Sequence, residues 1–321
     1  MLILSEEQVR RNLEIDELVA ALERMFRRNY EATAIVPLRT QMKAFDGATC
    51  LVMPCSDSSL HAAGLKVVTV REGPKLNGDR VQADCLLLEE TTGKVCAVVS
   101  ANYITEMRTA AVSAIATRFL ARPDARTLGI FGTGRQAIAH LLVLTHTHKY
   151  ERILVCGSSP SRSEAFAEAA ASEHTLAVEP VDSRTCARES DVICTCTNSR
   201  TPLFDGSHIR EGTHLNLVGG YQPDVREVDD FVISRARIVV DTHEAALEEA
   251  GDLLIPLRSK AIHEKQIIGD LHAIVSEKVR GRAQAGDITL FKSVGFALED
   301  LVGATLVYER FLKQSAVAPT R

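Results

Sequence analysis

The chain has 321 residues, 45% of them hydrophobic and 25% charged, with a formal net charge of −5. That is the profile of a soluble globular protein long enough for two cores. Without a dense run of Lys and Arg, nucleic acid and acidic membrane surfaces are not expected partners, because phosphate binding needs concentrated positive charge. No apolar run approaches a membrane span, and residues 1–4 before Glu6 and Glu7 are too short for a signal-peptide core.

In chain order, Ser5 with Gln8 reads as a capping box opening a short helix. Ile15, Leu18, Val19, Leu22 and Phe26 then fall on one face of a longer helix. Residues 65–70 (LKVVTV) read as a strand, and 85–90 with 94–100 as a hairpin across Thr91, Thr92 and Gly93. A helix over 104–121 ends before Pro123, which is the expected crossover into a second domain.

Residues 126–140 (RTLGIFGTGRQAIAH) join an apolar run to Gly132-Thr133-Gly134 and then to a helix-compatible stretch. A strand, glycine turn and helix in this order present unpaired backbone N–H groups and a positive helix end to a pyrophosphate. Gly132 permits the tight turn, Gly134 lets the backbone approach the phosphate, and Ala137 fills the third position of the pattern. Downstream, strands are expected at 152–156, 174–181, 191–195, 215–218 and 237–241, with a helix over 161–173. With the strand before Gly132, six strands emerge. The fold class expected is α/β, a Rossmann-type doubly wound parallel sheet plus a separate α+β domain. Residues 291–312 are apolar and helix-compatible and are expected to return to the first domain.

Eight cysteines are scattered, with Cys194 and Cys196 the only close pair and no C-x-x-C. They read as reduced core residues of a cytoplasmic protein. His146 and His148 lack a matching acid or Cys, so no metal is expected; histidines near a helix C-terminus are favourable there without one.

Three cations stand out by their surroundings. Period-2 alternation puts Lys66 on the apolar face of Val68 and Val70, where a depressed pKa or an anionic partner is expected. Arg108 sits in a helix rich in Ala and Ser, and Arg39 follows Pro37. A surface or structural ion pair is the plainer alternative for each.

The chain resembles the ornithine cyclodeaminase/mu-crystallin family over nearly its whole length. The resemblance rests on LVMP at 51–54, GLKVV at 64–68, ITEMRTAAVSAIA at 104–116 and GIFGTGRQA at 129–137. It continues with PDVREVDD at 223–230, EEAGDL at 248–253 and DITLFKSVGFALEDL at 287–301. It implies a dinucleotide domain (123–284) inserted into a substrate-binding and dimerisation domain (1–122 and 285–321), and a homodimer. It also implies that Arg39, Lys66 and Arg108 line the substrate site, with Met53 beside them, gripping an amino-acid or imino-acid carboxylate. A planar carboxylate suits a bidentate guanidinium. Expected cofactor contacts are Thr109, the turn residues Gly132, Thr133, Gly134, Arg135 and Gln136, then Ser158, Ser159 and Arg162. They continue through Thr195, Cys196, Thr197, Val218 and Gly219 to Lys292, Ser293, Val294 and Gly295.

The family holds several chemistries, and departures matter. Cyclodeaminases and the archaeal alanine dehydrogenases resembling them carry an Asp where this chain has Tyr221, in Gly219-Gly220-Tyr221-Gln222-Pro223-Asp224. A tyrosine is a poor base at neutral pH. Asp224 has the position found in the mu-crystallin branch, whose members look like ketimine reductases, and it is the remaining acid–base candidate. The expected activity is therefore NAD(P)H-dependent reduction of a cyclic imino acid, with Lys66, Arg108 and Asp224 as catalytic candidates. Ornithine cyclodeaminase or alanine dehydrogenase activity, and non-catalytic binding of small molecules, remain alternatives. After the strand ending at Cys156 no acid appears until Glu164, whereas Ser158, Ser159, Ser161 and Arg162 suit a 2′-phosphate. NADP(H) is expected over NAD(H), unless Ser161 merely caps the next helix and Arg162 is solvated.

Overall fold

The computed structural model describes residues 1–44, 47–71 and 81–317. The chain forms two compact units, Met1–Arg108 with Phe296–Arg321, and Thr109–Gly295.

Unit 1 begins with β1 (Leu2–Leu4), α1 (Glu6–Asn12) and α2 (Ile15–Arg27). Ser5 and Gln8 form the capping box at the start of α1, and α2 buries Leu18, Val19, Leu22, Met25 and Phe26. Then follow β2 (Ala34–Ile35), β3 (Thr40–Lys43), β4 (Thr49–Asp57), β5 (Ala62–Val70), β6 (Val81–Leu88) and β7 (Val95–Ser100). These strands make a sheet of order β1-β7-β6-β5-β4-β2, with β3 also on β4; β1 is parallel to β7 and the other pairs are antiparallel. Alternation along β5 buries Gly64, Lys66 and Val68 on one face. On the other face Val52, Val67, Leu86 and Val98 stay half-buried. Next, α3 (Asn102–Leu120) runs from unit 1 into unit 2.

Unit 2 contains β8 (Thr127–Phe131), α4 (Arg135–Thr147), β9 (Arg152–Cys156), α5 (Pro160–His174), β10 (Glu179–Pro180) and α6 (Ser183–Glu189). It continues through β11 (Val192–Thr195), β12 (His214–Leu217), α7 (Asp230–Arg235), β13 (Ala236–Val240), α8 (His243–Glu249) and α9 (Gly251–Arg258). It closes with β14 (Ile267–Asp270), α10 (Leu271–Val275) and β15 (Ile288–Lys292). All eight strands are parallel, in the order β10-β9-β8-β11-β12-β15-β13-β14. β8, β11, β12 and β15 are almost wholly buried, as parallel strands covered on both faces are, although β12 and β15 carry His214, Asn216, Thr289 and Lys292 inside. The order reverses between β8 and β11, the switch point at which α/β sheets bind ligands beyond their C-terminal strand ends. Finally α11 (Ala297–Val317) packs in unit 1 on β4, β5, β6 and α2, with Phe296 tilted against Phe26 and Tyr30 at ring distances of 5.9 and 5.7 Å.

Several details differ from the sequence expectations. The third strand of unit 2 is only Glu179–Pro180, because α5 runs through His174 and ends on Thr175 at φ 57°. Two strands, β14 and β15, were not expected, and residues 291–292 are strand rather than the start of the last helix. The division between units falls inside α3 and after β15, rather than at 122/123 and 284/285. The far half of α3 belongs to unit 2 because Ser113 bonds His140 at 2.9 Å and Asn216 donates to Thr117 at 2.9 Å. At the end of α4, burial lowers the His148 imidazole to about 4, so it sits there neutral rather than as a cation on the helix dipole.

Candidate active site

Between β8 and α4, Gly132 has φ +111° and donates to Cys156 O at 2.9 Å. A Cβ on Gly132 would stand 2.5 Å from Cys196 O, so a side chain is excluded twice, by conformation and by contact. Gly134 is the N-cap of α4, and a Cβ there would meet nothing within 4 Å. The first-turn N–H groups of α4 have no intrahelical acceptor and open at the positive end of the helix dipole. Thr133 and Gln136 are half-buried, Arg135 is exposed and Ala137 is buried. The open space before Gly134 and the forced turn at Gly132 fit a dinucleotide pyrophosphate.

After β9, Gly157 N donates to Ser163 Oγ at 2.8 Å, and Ser159 caps α5 by accepting from Arg162 N at 3.4 Å. The capping residue is thus Ser159 and not Ser161. Ser158 and Arg162 are exposed.

Beyond β11 and β12, the expected contacts are largely turned inward. Thr195 Oγ1 and Thr197 Oγ1 each donate to Glu227 at 2.6 Å, and Thr197 N adds a third bond at 2.9 Å. Val218 N and Gly219 N both donate to Thr195 O, at 3.0 and 3.2 Å. Cys196 is a thiol that burial pushes well up. Lys292 is fully buried, pairs with Asp252 at 3.0 Å and donates to Gly219 O. Its ammonium shapes the Gly219 turn from inside instead of opening toward a cofactor. Asp241 accepts from Val294 N at 2.6 Å, Gly295 N at 2.5 Å and Ser293 Oγ at 3.4 Å. Burial raises the pKa of Asp241, and burial with the nearby Asp252 raises that of Glu227. Thr109 is buried in α3.

In unit 1, Lys66 and Arg108 meet on one carboxylate. Lys66 Nζ lies 2.7 Å from Asp300 Oδ2 and 3.5 Å from Thr105 Oγ1, and Arg108 Nε donates to Asp300 Oδ1 at 3.0 Å. Arg108 Nη1 also donates to Glu299. Lys66, Arg108, Glu299 and Asp300 are 3, 5, 0 and 1% exposed, so this is an interior ion cluster and not surface decoration. Both acids lie in the first turn of α11, where the helix dipole favours negative charge. Burial lowers the Lys66 pKa, while Asp300 opposes the shift. A small pocket, with room for about one water molecule, is lined by Met53, Lys66 and Asp300 together with Cys55, Cys85 and Leu301. Burial raises the Cys55 thiol to about 12 and the Cys85 thiol higher, so both stay protonated and poorly nucleophilic.

Arg39 is half-buried between β2 and β3. Asp224 is exposed in unit 2 and paired with Arg200. Tyr221 packs against the apolar core of unit 2. Glu299 and Asp300 were not singled out from sequence, although two acids opening an otherwise apolar helix were a signal that buried cations had partners there. Among the described residues no group of three or more His, Cys, Asp or Glu could hold a metal ion, and no helix is long and apolar enough to cross a membrane.

The comparisons with known proteins agree on one family, whose members carry several activities. A Delta(1)-pyrroline-2-carboxylate reductase of Bacillus cereus is 33% identical over 318 residues, 98% of each chain. The ketimine reductase mu-crystallin of Rattus norvegicus is 36% identical over 302 residues, 93% of this chain and 92% of that one. The solved structure of Thermococcus litoralis Delta(1)-pyrroline-2-carboxylate reductase in complex with NADH and L-proline has a TM-score of 0.94 at 36% identity, covering 98% of both chains. The family model for the ornithine cyclodeaminase/mu-crystallin family matches residues 1–315, and this chain belongs to that family.

Proposed function

We propose that the protein is an NAD(P)H-dependent reductase of cyclic imino acids, converting Δ1-pyrroline-2-carboxylate to L-proline and Δ1-piperideine-2-carboxylate to L-pipecolate. The observation that carries this reading is the burial of Lys66 and Arg108 on one shared carboxylate, Asp300, which with Lys66 lines a small pocket. The names and identities of the relatives support it.

The bound cofactor supplies a hydride to C2 of the imine. Arg108, assisted by Arg39, holds the substrate carboxylate by charge-assisted hydrogen bonds. Lys66 delivers a proton to the ring nitrogen before transfer, so that the C=N electron pair collapses onto a nitrogen already protonated. A lysine whose pKa is lowered by burial gives up that proton more readily than an exposed one. Met53 forms the apolar side of the cavity. Asp224 stays in the proposal as a second acid–base candidate, tested separately by Asp224→Asn. Tyr221, packed on the core of unit 2, offers no base for cyclodeamination.

Unit 2 holds the cofactor at the Gly132 and Gly134 turn, with NADPH preferred over NADH because Ser158 and Arg162 are exposed and no acid stands between Gly157 and Ser163. The eight cysteines are free, which suits the reducing cytoplasm. A homodimer would cover the half-buried apolar face of Val52, Val67, Leu86 and Val98; an archaeal alanine dehydrogenase, 28% identical, is a dimer.

The deciding experiment follows cofactor consumption over cyclic and acyclic imino acids, with ornithine and alanine run in the oxidative direction. Stoichiometric NADPH oxidation with either cyclic imine, and little ammonia from ornithine, is expected. Rapid conversion of ornithine to proline and ammonia with no net change in cofactor would overturn the reading.

A further inference from the structure

Asp300 occupies a particular place in the cluster. Its two oxygens are divided between the two cations, Oδ1 toward Arg108 and Oδ2 toward Lys66. A carboxylate oxygen has two lone pairs, so each oxygen can take one further N–H. Among the described residues that line the cavity, Asp300 is the only acid; the rest of the wall is apolar, thiol or Lys66. The neighbouring thiols stay neutral. A cation entering this cavity therefore has one carboxylate to meet.

Charge balance gives the second argument. Within the cluster two cations, Lys66 and Arg108, face two carboxylates, Glu299 and Asp300. A ligand that brings only a carboxylate adds a further buried negative charge to this balanced set, which is costly. A zwitterion keeps the balance. Its carboxylate takes the guanidinium, and its cationic nitrogen takes Asp300.

We propose that Asp300 is a specificity-determining residue that receives the cationic nitrogen of the substrate when Arg108 takes the substrate carboxylate, so that the cavity selects α-imino and α-amino acids over 2-oxo acids and other plain carboxylates. This deepens the reductase reading and rests on it for the identity of the ligand. Asp300 is held for that role by the first turn of α11. Lys66 is fixed opposite by the register of β5, which sets it between Met53 of β4 and Cys85 of β6.

The test uses a pair of near-isosteric inhibitors on the NADPH-loaded protein, L-proline and tetrahydrofuran-2-carboxylate, which replaces the ring nitrogen by oxygen and carries no cation. Dissociation constants are measured by calorimetry for wild type, Asp300→Asn and Asp300→Glu. Wild type is expected to bind L-proline at least about tenfold tighter than the oxygen analogue. Asp300→Asn should lose that ratio or reverse it, and Asp300→Glu should keep its sign. Equal binding of the two ligands by wild type overturns the inference without any variant. An unchanged ratio in a folded Asp300→Asn also overturns it, as does failure of L-proline to bind. If the ratio depends on Asp300 but no cyclic imine is reduced, zwitterion selection stands and the reductase reading falls. If imines are reduced and the ratio ignores Asp300, the reverse holds.

Discussion

In unit 1, Lys66, Arg108, Glu299 and Asp300 bond one another through their side chains beside a cavity. Unit 2 also buries charge, but there each ion pair or acid is tied into the backbone as well. Lys292 reaches Gly219 O, Asp252 accepts from Glu227 N and Val228 N, and Asp241 accepts from Val294 N and Gly295 N. The difference separates two uses of buried charge. A side chain bonded to other side chains can exchange one of them for a ligand of like chemistry. A side chain bonded to main-chain groups cannot be exchanged without releasing the turn it holds, so its contribution is to the shape of the loops after β12 and β15.

The largest expected effect breaks the unit 2 network. Lys292→Met leaves Asp252 buried without its cation and should cost about 3–5 kcal/mol of unfolding free energy, read from denaturant midpoints. Near-wild-type stability combined with a loss of cofactor affinity would make Lys292 a ligand contact and erase the contrast.

Acid should also act on unit 2, where His140 is buried with Nδ1 toward Gln136 O at 2.7 Å and Nε2 toward Ser113 Oγ at 2.9 Å. Burial lowers its pKa from 6.5 to about 4. The unfolded chain therefore binds the proton more tightly. Its contribution is complete above the unfolded value of 6.5 and is lost as pH falls from there toward 4. The loss amounts to about 3 kcal/mol. Unfolding titrations at neutral pH and near the lower limit should show this dependence in wild type and a flatter one in His140→Gln. An equal slope in both would remove His140 from the account.

In unit 1 the expected loss is functional. Lys66→Ala should lower kcat about 100-fold, the low end for removing a general acid. Arg108→Ala should mainly raise KM, because the carboxylate is held in ground and transition states alike. Both also remove a cation from a buried pair, so unfolding free energy is measured beside the kinetics. Activity needs the protonated lysine, so it should fall as pH rises through the Lys66 value. Burial and Arg108 place that value below an ordinary lysine, while Asp300 and Cys85 pull it back. A pH profile with no alkaline limb below that of a free lysine would contradict the role.

What the sequence disclosed follows the same division. Alternation along 65–70 was enough to turn Lys66 inward, and the Gly132 and Gly134 spacing was enough to place a glycine turn before a helix, because both are local patterns. Periodicity says that a charge is buried and does not say what meets it. Asp300 lies 192 residues from Arg108, and no local signal joins them. The same limit hid β15. Residues 291–312 read as one helix-compatible run, whereas a distant Asp252 lets Lys292 end a buried strand. Asp224 shows the converse: the family resemblance suggested chemistry for it, and the fold sets it in an exposed pair with Arg200.

The smallest expected effect sharpens the contrast at the open edge of unit 2. Ser159 spends its hydroxyl on the α5 cap, while Ser158 and Arg162 are exposed beside it. Ser158→Asp would place a carboxylate where a 2′-phosphate is expected, repelling NADPH and offering NADH an acceptor for its ribose hydroxyls. The charge is exposed and screened by salt, so the shift in the ratio of the two dissociation constants should be about tenfold, equivalent to about 1.4 kcal/mol. Ser159→Ala serves as the control: losing the cap should cost about 1 kcal/mol of stability and leave the ratio unchanged. If wild type binds NADH more tightly than NADPH, or if Ser159→Ala moves the ratio as far as Ser158→Asp does, the loop acts through the helix it caps and not through a phosphate contact.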